Sequence, residues 1–406
     1  MECGIVWIMA AEIETIPEGT VTSPEGFLAG AISAGINKNA TDKLDLAVLF
    51  SEAPCVAAAL FTASRLKSAP VILSQQRLKR RKAGAVVANS GCANAFAGEG
   101  GLDDAAEMAE LAAEGIGLSP EEVLVASTGV IGEPLPMKRI RGSLGQIILS
   151  RDGGHELARA IMTTDTIAKE TAVKVRAGGS QFAIGGVAKG SGMIHPNLAT
   201  LLCFITTDAV VEEDFLKKAL KKAVDESFNM ISIDGDTSPN DMVLIMANGL
   251  GGNAPADAFE QALEQVCVYL AKCVVRDGEG ATRLIEVTVS GAASRLEARR
   301  VARAVVSSPL VKAAVHGADP NWGRIVAAVG RSGVEVEESK FDLAIGEIPV
   351  VKAGNPLPFD KRGLIQQLKR EEVSISLNLN LGSGTATAWG CDLSEEYVTI
   401  NSQYMT

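Results

Sequence analysis

The sequence is poor in aromatic residues and has no long apolar run. Aromatics make up only 4% of the 406 residues, so the core must be built largely from small and aliphatic side chains. No apolar run reaches about 18 residues, the length that a membrane-spanning helix needs. Residues 1–11 contain Glu2 and lack the basic start of a secretory signal. We therefore expect a cytoplasmic protein.

Several common functional motifs are also missing. The seven cysteines show no CxxC spacing, which argues against a zinc site or a disulfide framework and predicts buried, reduced thiols. GxxxxGK[ST], GxGxxG, HExxH and GxSxG do not occur. The 38 basic and 49 acidic residues give a net charge of −11 without a basic run, so nucleic acid and anionic membranes are poor candidate partners.

The pattern of apolar residues predicts an α+β fold. Hydrophobic residues make up 47% of the chain and charged residues 21%, as in a globular protein. Short apolar runs predict strands at 46–49, 56–62, 84–88, 122–127, 182–188, 201–206, 242–246, 284–290, 373–379 and 385–391. Helical spacing predicts helices at 102–115, 212–228, 257–275 and 293–306. Because several strands follow one another without a helix, a layered sandwich is favoured over a doubly wound sheet.

The step from Ala199 to Thr200 offers a nucleophile. It follows the glycine-rich loop GGVAKGSGMI (185–194) and precedes an apolar run. If Thr200 Oγ attacked the Ala199 carbonyl and water opened the ester, the new α-amine would lie on the same residue as the hydroxyl. With a pKa of about 7.7–8.0, that amine could act as the base. Taken alone, the pattern fits a threonine opening a buried strand better than a self-cleaving bond.

A series of distinctive motifs runs along most of the chain. The first is KGSGMIHPNLAT (189–200), followed by a strand ending in TTDA. The others are PEGF (24–27), LAGAISAGIN (28–37), LFTASRLKSAPV (60–71), ANSGCANAFAGEGG (88–101), ASTGVIGEPLPM (126–137), MTTDT (162–166), ISIDGDTSPND (231–241), RDGEGATR (276–283), HGADPNWGRI (316–325) and INSQYMT (400–406). Together these motifs resemble those of the ornithine acetyltransferase family, also called glutamate N-acetyltransferases.

The resemblance implies a self-processed enzyme of the N-terminal-nucleophile type with a layered α/β sandwich fold. Residues 1–18 lie outside the pattern and are expected to form an N-terminal extension. Cleavage between Ala199 and Thr200 would give an α chain of residues 19–199 and a β chain of residues 200–406. Two of each are expected to assemble as a heterotetramer.

The resemblance also implies a role for individual residues. Thr200 corresponds to the nucleophile, and Thr128 and Gly129 correspond to the pair that stabilises the oxyanion. The implied substrate-binding positions are Thr163, Lys189, Thr200, Glu279, Asn401 and Thr406. His195 is assigned to structure, because the α-amine already supplies a base.

The charges at two of these positions suit the implied substrates. Lys189 can meet a carboxylate and Glu279 an ammonium. Taken alone, Lys189 would be interpreted as a solvated lysine, Glu279 as a turn residue, and the segment with Asn401 and Thr406 as a frayed tail. The resemblance instead implies that this tail folds over the site.

The implied activity is acetyl transfer from N2-acetyl-L-ornithine to L-glutamate in arginine biosynthesis, through an acetyl ester on Thr200. No metal or prosthetic group is implied, and family members differ in whether acetyl-CoA also serves as donor. Two alternatives stay open. One is an N-terminal-nucleophile amidase or aminopeptidase that passes the acyl group to water. The other is a non-catalytic ligand-binding protein with an uncut chain.

Overall fold

The computed structural model describes residues 11–37, 43–80, 82–195 and 201–403. In chain order, the strands of these ranges are β1 (Glu12–Thr15), β2 (Phe27–Ile32), β3 (Leu46–Ser51), β4 (Val56–Phe61), β5 (Ala85–Asn89), β6 (Val123–Ser127), β7 (Lys169–Ala177), β8 (Ser180–Lys189), β9 (Leu202–Thr207), β10 (Ile231–Ser232), β11 (Met242–Ala247), β12 (Leu284–Ala292), β13 (Asp342–Ile345), β14 (Ile348–Lys352), β15 (Asn355–Pro356), β16 (Glu372–Asn378) and β17 (Gly384–Cys391). The α-helices are α1 (Ala69–Arg77), α2 (Gly101–Ile116), α3 (Met137–Ser143), α4 (Gly154–Ala160), α5 (Glu213–Glu226), α6 (Ala256–Arg276), α7 (Arg295–Val306), α8 (Pro309–His316), α9 (Gly323–Gly330), α10 (Lys361–Leu368) and α11 (Glu395–Gln403).

The strands of the described ranges form three sheets. A six-stranded central sheet has the order β1-β7-β8-β9-β11-β4, and a four-stranded sheet has the order β2-β3-β5-β6. A seven-stranded sheet has the order β10-β17-β12-β16-β13-β14-β15. In the central sheet, β9 runs parallel to β11 and antiparallel to β8. The three strands are therefore hydrogen-bonded neighbours near the middle of that sheet.

The central sheet is buried on both faces. Leu202 and Phe204 of β9 pack with Leu49 of the four-stranded sheet in one core cluster. Cys203 and Ile205, which point to the opposite face, belong to a second cluster that includes α5 and α6. A strand covered on both faces is apolar at every position, and this explains the uninterrupted apolar run after Thr200.

Helices complete the layers around the three sheets. Helix α6 contacts β7 and β8 of the central sheet as well as β17 of the seven-stranded sheet, so it lies between them. Val87 and Val125, on the outer face of the four-stranded sheet, pack against Met108 and Ala112 of α2. The result is an α+β layered sandwich, as predicted.

The predicted elements are confirmed as strands and helices, with small differences at their ends. The helix predicted at 212–228 spans Glu213–Glu226, and the strand predicted at 182–188 spans Ser180–Lys189. The proposed extension 1–18 includes β1, which pairs antiparallel with β7, while residues 1–10 lie outside the described ranges. No disulfide joins the cysteines of the described ranges, and no helix there is both long enough and apolar enough to span a membrane.

Candidate active site

Several strand ends meet at one edge of the central sheet. Lys189, the last residue of β8, pairs with Leu202 at the start of β9, and Leu202 pairs with Met242 at the start of β11. Asn240 Nδ2 donates to the carbonyl oxygen of Ser127 at 2.8 Å, which ties the end of β6 to the segment before β11. Loops and strand ends held by such a rigid scaffold are common places for function. A pocket lies at this edge.

The pocket gathers six of the predicted site residues. The described residues that line it include Thr128, Gly129, Thr163, Lys189, Glu279 and Asn401. Its empty space, counted together with its open mouth, is about 740 Å³. Leu201, which directly follows Thr200 in the chain, also lines the pocket. Ala199, Thr200 and Thr406 themselves lie outside the described residues.

Lys189 is a buried cation rather than the solvated lysine that its local sequence suggests. It is 9% exposed, and its Nζ donates to Thr163 Oγ1 at 2.7 Å and to Thr128 Oγ1 at 3.3 Å. Burial lowers the pKa of Lys189, and the nearby carboxylate of Asp165 opposes that change. Because both hydroxyl partners are neutral, the ammonium can still bind an anion that enters the pocket.

A buried ion network lies close to this cation. Lys169 is 1% exposed, and its Nζ contacts Asp165 Oδ1 at 2.7 Å and Asp277 Oδ2 at 2.5 Å. Asp277 also accepts a hydrogen bond from the backbone N–H of Thr166 at 3.0 Å. No local pattern in the sequence predicts this network. Its only signal was that MTTDT and RDGEG both contain an aspartate.

Asp165 connects the network to the pocket wall. Its carboxylate accepts from the backbone N–H of Thr163 at 2.9 Å and of Gly190 at 2.7 Å. Burial alone would raise the pKa of Asp165, but the ammonium groups of Lys189 and Lys169 and the hydrogen bonds outweigh burial and lower the pKa to about 2. The charged carboxylate therefore fixes the backbone beside Thr163 and directly after Lys189.

Replacing Lys169 by methionine should lower the free energy of unfolding by about 3–5 kcal/mol, because the buried carboxylates of Asp165 and Asp277 lose their shared partner. Urea unfolding of the wild type and of each variant measures the change in the free energy of unfolding. Lys352→Met is the matched control, since it removes an exposed ion pair with Asp342 and should change stability by no more than about 1 kcal/mol. Equal, small effects of both substitutions would contradict this account of the network.

Thr128 and Gly129 form a tight turn at the end of β6. The backbone N–H of Thr128 donates to the carbonyl oxygen of Asn89 at 3.0 Å. Gly129 has a φ of +125°, and a Cβ at this position would lie 2.4 Å from the carbonyl carbon of Gly91. Only glycine fits such a backbone approach. Both residues line the pocket at this turn.

Glu279 and Asn401 form another polar part of the wall. Glu279 is 9% exposed, and its Oε2 accepts a hydrogen bond from Asn401 Nδ2 at 2.7 Å. Its backbone N–H donates to the carbonyl oxygen of Ser191 at 2.8 Å. A Cβ on Gly192 would lie 2.6 Å from the Glu279 carboxylate, so glycine permits the close approach. Asn401 belongs to α11, and the C-terminal helix is therefore part of the site rather than a frayed tail.

His195 is not among the described residues that line the pocket. Its Nδ1 lies 3.2 Å from Ser232 Oγ, and burial lowers its pKa. The structural role assigned to His195 from the sequence stays a prediction, because Thr200 lies outside the described residues. Within the described ranges, no group of three or more histidine, cysteine, aspartate and glutamate side chains is arranged to hold a metal ion.

Comparison with known proteins gives a family match over most of the chain. The model of the ArgJ family matches residues 28–406. The arginine biosynthesis bifunctional protein ArgJ of Dehalococcoides mccartyi (strain CBDB1) is 53% identical over 405 residues, which is 98% of this chain and 100% of that protein.

Two solved structures from other organisms are also similar. The crystal structure of the arginine biosynthesis bifunctional protein argJ from Bacillus halodurans is 47% identical, covers 49% of this chain and 97% of that chain, and has a TM-score of 0.47. Ornithine acetyltransferase complexed with ornithine, from Mycobacterium tuberculosis, is 37% identical, covers 46% of this chain and 100% of that chain, and has a TM-score of 0.43.

A small pocket that holds a buried cation and a buried acidic side chain is typical of an enzyme that binds a small charged substrate. The match over residues 28–406 and the 53% identity along the chain specify the kind of enzyme: the chain belongs to the ArgJ family. It is an acetyltransferase of arginine biosynthesis, as the resemblance predicted. The amidase and the non-catalytic binding protein are not favoured.

Proposed function

We propose that the pocket transfers an acetyl group from N2-acetyl-L-ornithine to L-glutamate, giving L-ornithine and N-acetyl-L-glutamate through an acetyl ester on Thr200. One observation carries the proposal: six residues expected from the resemblance, distant in sequence, line one pocket together with Leu201. Leu201 is the residue that directly follows the proposed nucleophile in the sequence.

The two charged groups of the pocket fit the two amino acids. Donor and acceptor both carry an α-carboxylate, which the buried ammonium of Lys189 binds. The carboxylate of Glu279 binds the side-chain ammonium of the ornithine moiety. Thr163, Asn401 and Thr406 complete the set of binding residues in this proposal.

Self-cleavage creates the nucleophile and its base in one residue. Thr200 Oγ attacks the carbonyl carbon of Ala199, the peptide nitrogen leaves as the α-amine of Thr200, and water then hydrolyses the ester. The products are a chain of residues 200–406 and a chain that contains residues 19–199 with the 1–18 extension. The α-amine, with a pKa of about 7.7–8.0, then takes the proton of the Thr200 hydroxyl during acetyl transfer.

Transfer takes place in two half-reactions at one site. The donor acetylates Thr200 and ornithine leaves, after which glutamate occupies the same position and its nitrogen attacks the ester. Because donor and acceptor share an α-carboxylate and an α-nitrogen, Lys189 can hold each of them in turn. The covalent ester divides one difficult amide exchange into two easier steps.

The hydroxyl of Thr128 and the backbone N–H of Gly129 are proposed to stabilise the oxyanion of each tetrahedral intermediate. Thr128→Ala should therefore lower the transferase rate by about 10²–10³, with folding and cleavage retained. Steady-state assays with N-acetylornithine and glutamate measure the loss. Thr128→Ser is the matched control, because it keeps the hydroxyl and should retain most of the activity. A cleaved Thr128→Ala enzyme with wild-type turnover would place the oxyanion donors elsewhere.

The relatives' name, bifunctional, supports a second acetyl donor. We infer that acetyl-CoA can also acetylate Thr200, with glutamate as the acceptor. Assays with glutamate and each donor in turn test this inference. We further propose that two α and two β chains form a heterotetramer in the cytoplasm, and that no metal or prosthetic group takes part in the reaction.

A further inference from the structure

Asp241 is a buried acidic residue in the pocket wall with no part in the mechanism given so far. It is the last residue of the motif ISIDGDTSPND and is 2% exposed. It stands directly before β11, where the backbone N–H of Met242 donates to the carbonyl oxygen of Leu201 at 3.0 Å. Asp241 therefore lies beside the start of the strand that follows Thr200.

One oxygen of this carboxyl group is left without a hydrogen bond. Asp241 Oδ2 has no hydrogen-bond partner among the residues that the structure describes. The hydroxyl of Thr62 donates instead to the carbonyl oxygen of Ser238 at 2.7 Å. An unsatisfied buried oxygen is costly, because it has lost its water without gaining another partner. Since Asp241 lines the pocket, a bound substrate with an N–H group can supply that partner.

The proposed reaction needs a second proton-transferring group. When acetyl passes from the amide nitrogen of N-acetylornithine to Thr200 Oγ, the C–N bond breaks and the nitrogen must gain two protons to leave as an ammonium. One comes from the Thr200 hydroxyl through the α-amine. In the second half-reaction the ammonium of glutamate loses two protons, and one of them returns to Thr200 Oγ. Each half-reaction thus leaves one proton without an assigned donor or acceptor.

We propose that Asp241 gives this proton to the departing ornithine nitrogen as a carboxylic acid and takes it from the incoming glutamate ammonium as a carboxylate. The inference rests on the proposed function. Atoms and charge balance: in the first half-reaction an acid becomes a carboxylate as an amine becomes an ammonium, and in the second the reverse occurs. One residue can serve both halves, since the same nitrogen position first leaves and then attacks.

The surroundings of Asp241 suit a group that both gives and takes a proton. Burial raises the pKa of Asp241 well above its usual range, and the charge of Lys189 opposes that rise. The charged group that shifts the pKa of Asp241 is Lys189 of β8. The charges of Asp165, Lys169 and Glu279 in turn shift the pKa of Lys189. A carboxyl group with a raised pKa can be protonated near neutral pH.

Asp241→Asn tests the inference because the amide keeps the shape but cannot carry the proton. Purified, cleaved enzyme is first acetylated with N-acetylornithine and then mixed with excess acceptor in a single turnover. Discharge to glutamate should be about 10²–10⁴ times slower than in the wild type. Discharge to hydroxylamine, which is uncharged at neutral pH and has no ammonium proton to lose, should stay within a few-fold. Asp236→Asn, the same change at an exposed site in the same motif, should discharge to both acceptors at the wild-type rate.

Two results with this variant would overturn the role of Asp241. One is discharge to glutamate at the wild-type rate. The other is an equal loss with glutamate and hydroxylamine, which would make Asp241 a structural residue. A wild-type enzyme that forms no acetyl-enzyme from N-acetylornithine would instead refute the proposed function, so the two failures can be told apart.

Wild-type enzyme alone provides a second test, which holds even if Asp241→Asn does not fold or is not cleaved. The Thr200 α-amine must be unprotonated in both half-reactions, so it affects their pH dependence in the same direction. Asp241 acts in opposite directions: as pH rises through its titration, acetylation by N-acetylornithine should slow and discharge to glutamate should quicken. The rate of discharge to hydroxylamine should not depend on the titration of Asp241. Identical pH profiles for the two half-reactions would overturn the proposal.

Discussion

Replacing Thr200 by alanine is expected to leave one uncut chain of 42.3 kDa and to abolish acetyl transfer. Without a hydroxyl, nothing attacks the Ala199 carbonyl, and neither the nucleophile nor the free α-amine is formed. The wild type should instead run as two fragments on a denaturing gel, each roughly half of 42.3 kDa. N-terminal sequencing should find Thr200 as the first residue of the second fragment.

Thr385→Ala provides the control for this experiment, because it makes the same change at an exposed strand position. That variant should be cleaved and active. If Thr200→Ala is still cut between residues 199 and 200, another protease makes the cut and the self-cleavage mechanism is wrong.

Replacing Lys189 by methionine is expected to lower kcat/KM by about 10² or more. Much of this change should be an increase in KM. The substrate α-carboxylate would enter a buried site without its counter-charge, a loss of about 2–5 kcal/mol. Steady-state kinetics with varied N-acetylornithine measures the effect. Lys352→Met, at an exposed position outside the pocket, should leave KM unchanged.

The pH dependence of KM gives an independent check on Lys189. Burial lowers its pKa, so its ammonium loses its proton at a lower pH than an exposed lysine would. As pH rises through this lowered pKa, the wild-type enzyme should bind carboxylates less well and its KM should rise. The methionine variant should lack this rise. A variant that binds substrate as tightly as the wild type would exclude Lys189 as the carboxylate partner.

The sequence predicts the buried elements of the fold more readily than the peripheral ones. Strands such as β9 and β11 are apolar throughout because both faces are covered, so their pattern is clear. β7 was missed because its first residue is the buried Lys169 and charged residues interrupt the rest of the strand. β13 and β14, at the outer side of the seven-stranded sheet, are short and partly exposed, and they give little signal.

The candidate site was predictable in part. The resemblance to the family predicted several residues of the site. The fold brings these residues together and places Thr128 beside Lys189. The ion network was missed because Lys169 and Asp277 are 108 positions apart, and no local pattern links a lysine to such a partner. The role of Asp241 could not be predicted from its motif, since its burial and its unpaired oxygen depend on the packing around β11.

The measurement that tests the central claim most directly is the mass of the fragment beginning at Thr200 after incubation with N-acetylornithine alone. The account predicts that this fragment gains one acetyl group and loses it when glutamate is added. Initial-rate plots against both substrates should accordingly give parallel lines. A fragment that stays unacetylated at every quench time, together with intersecting lines, would show direct transfer between the substrates and would contradict the role of Thr200.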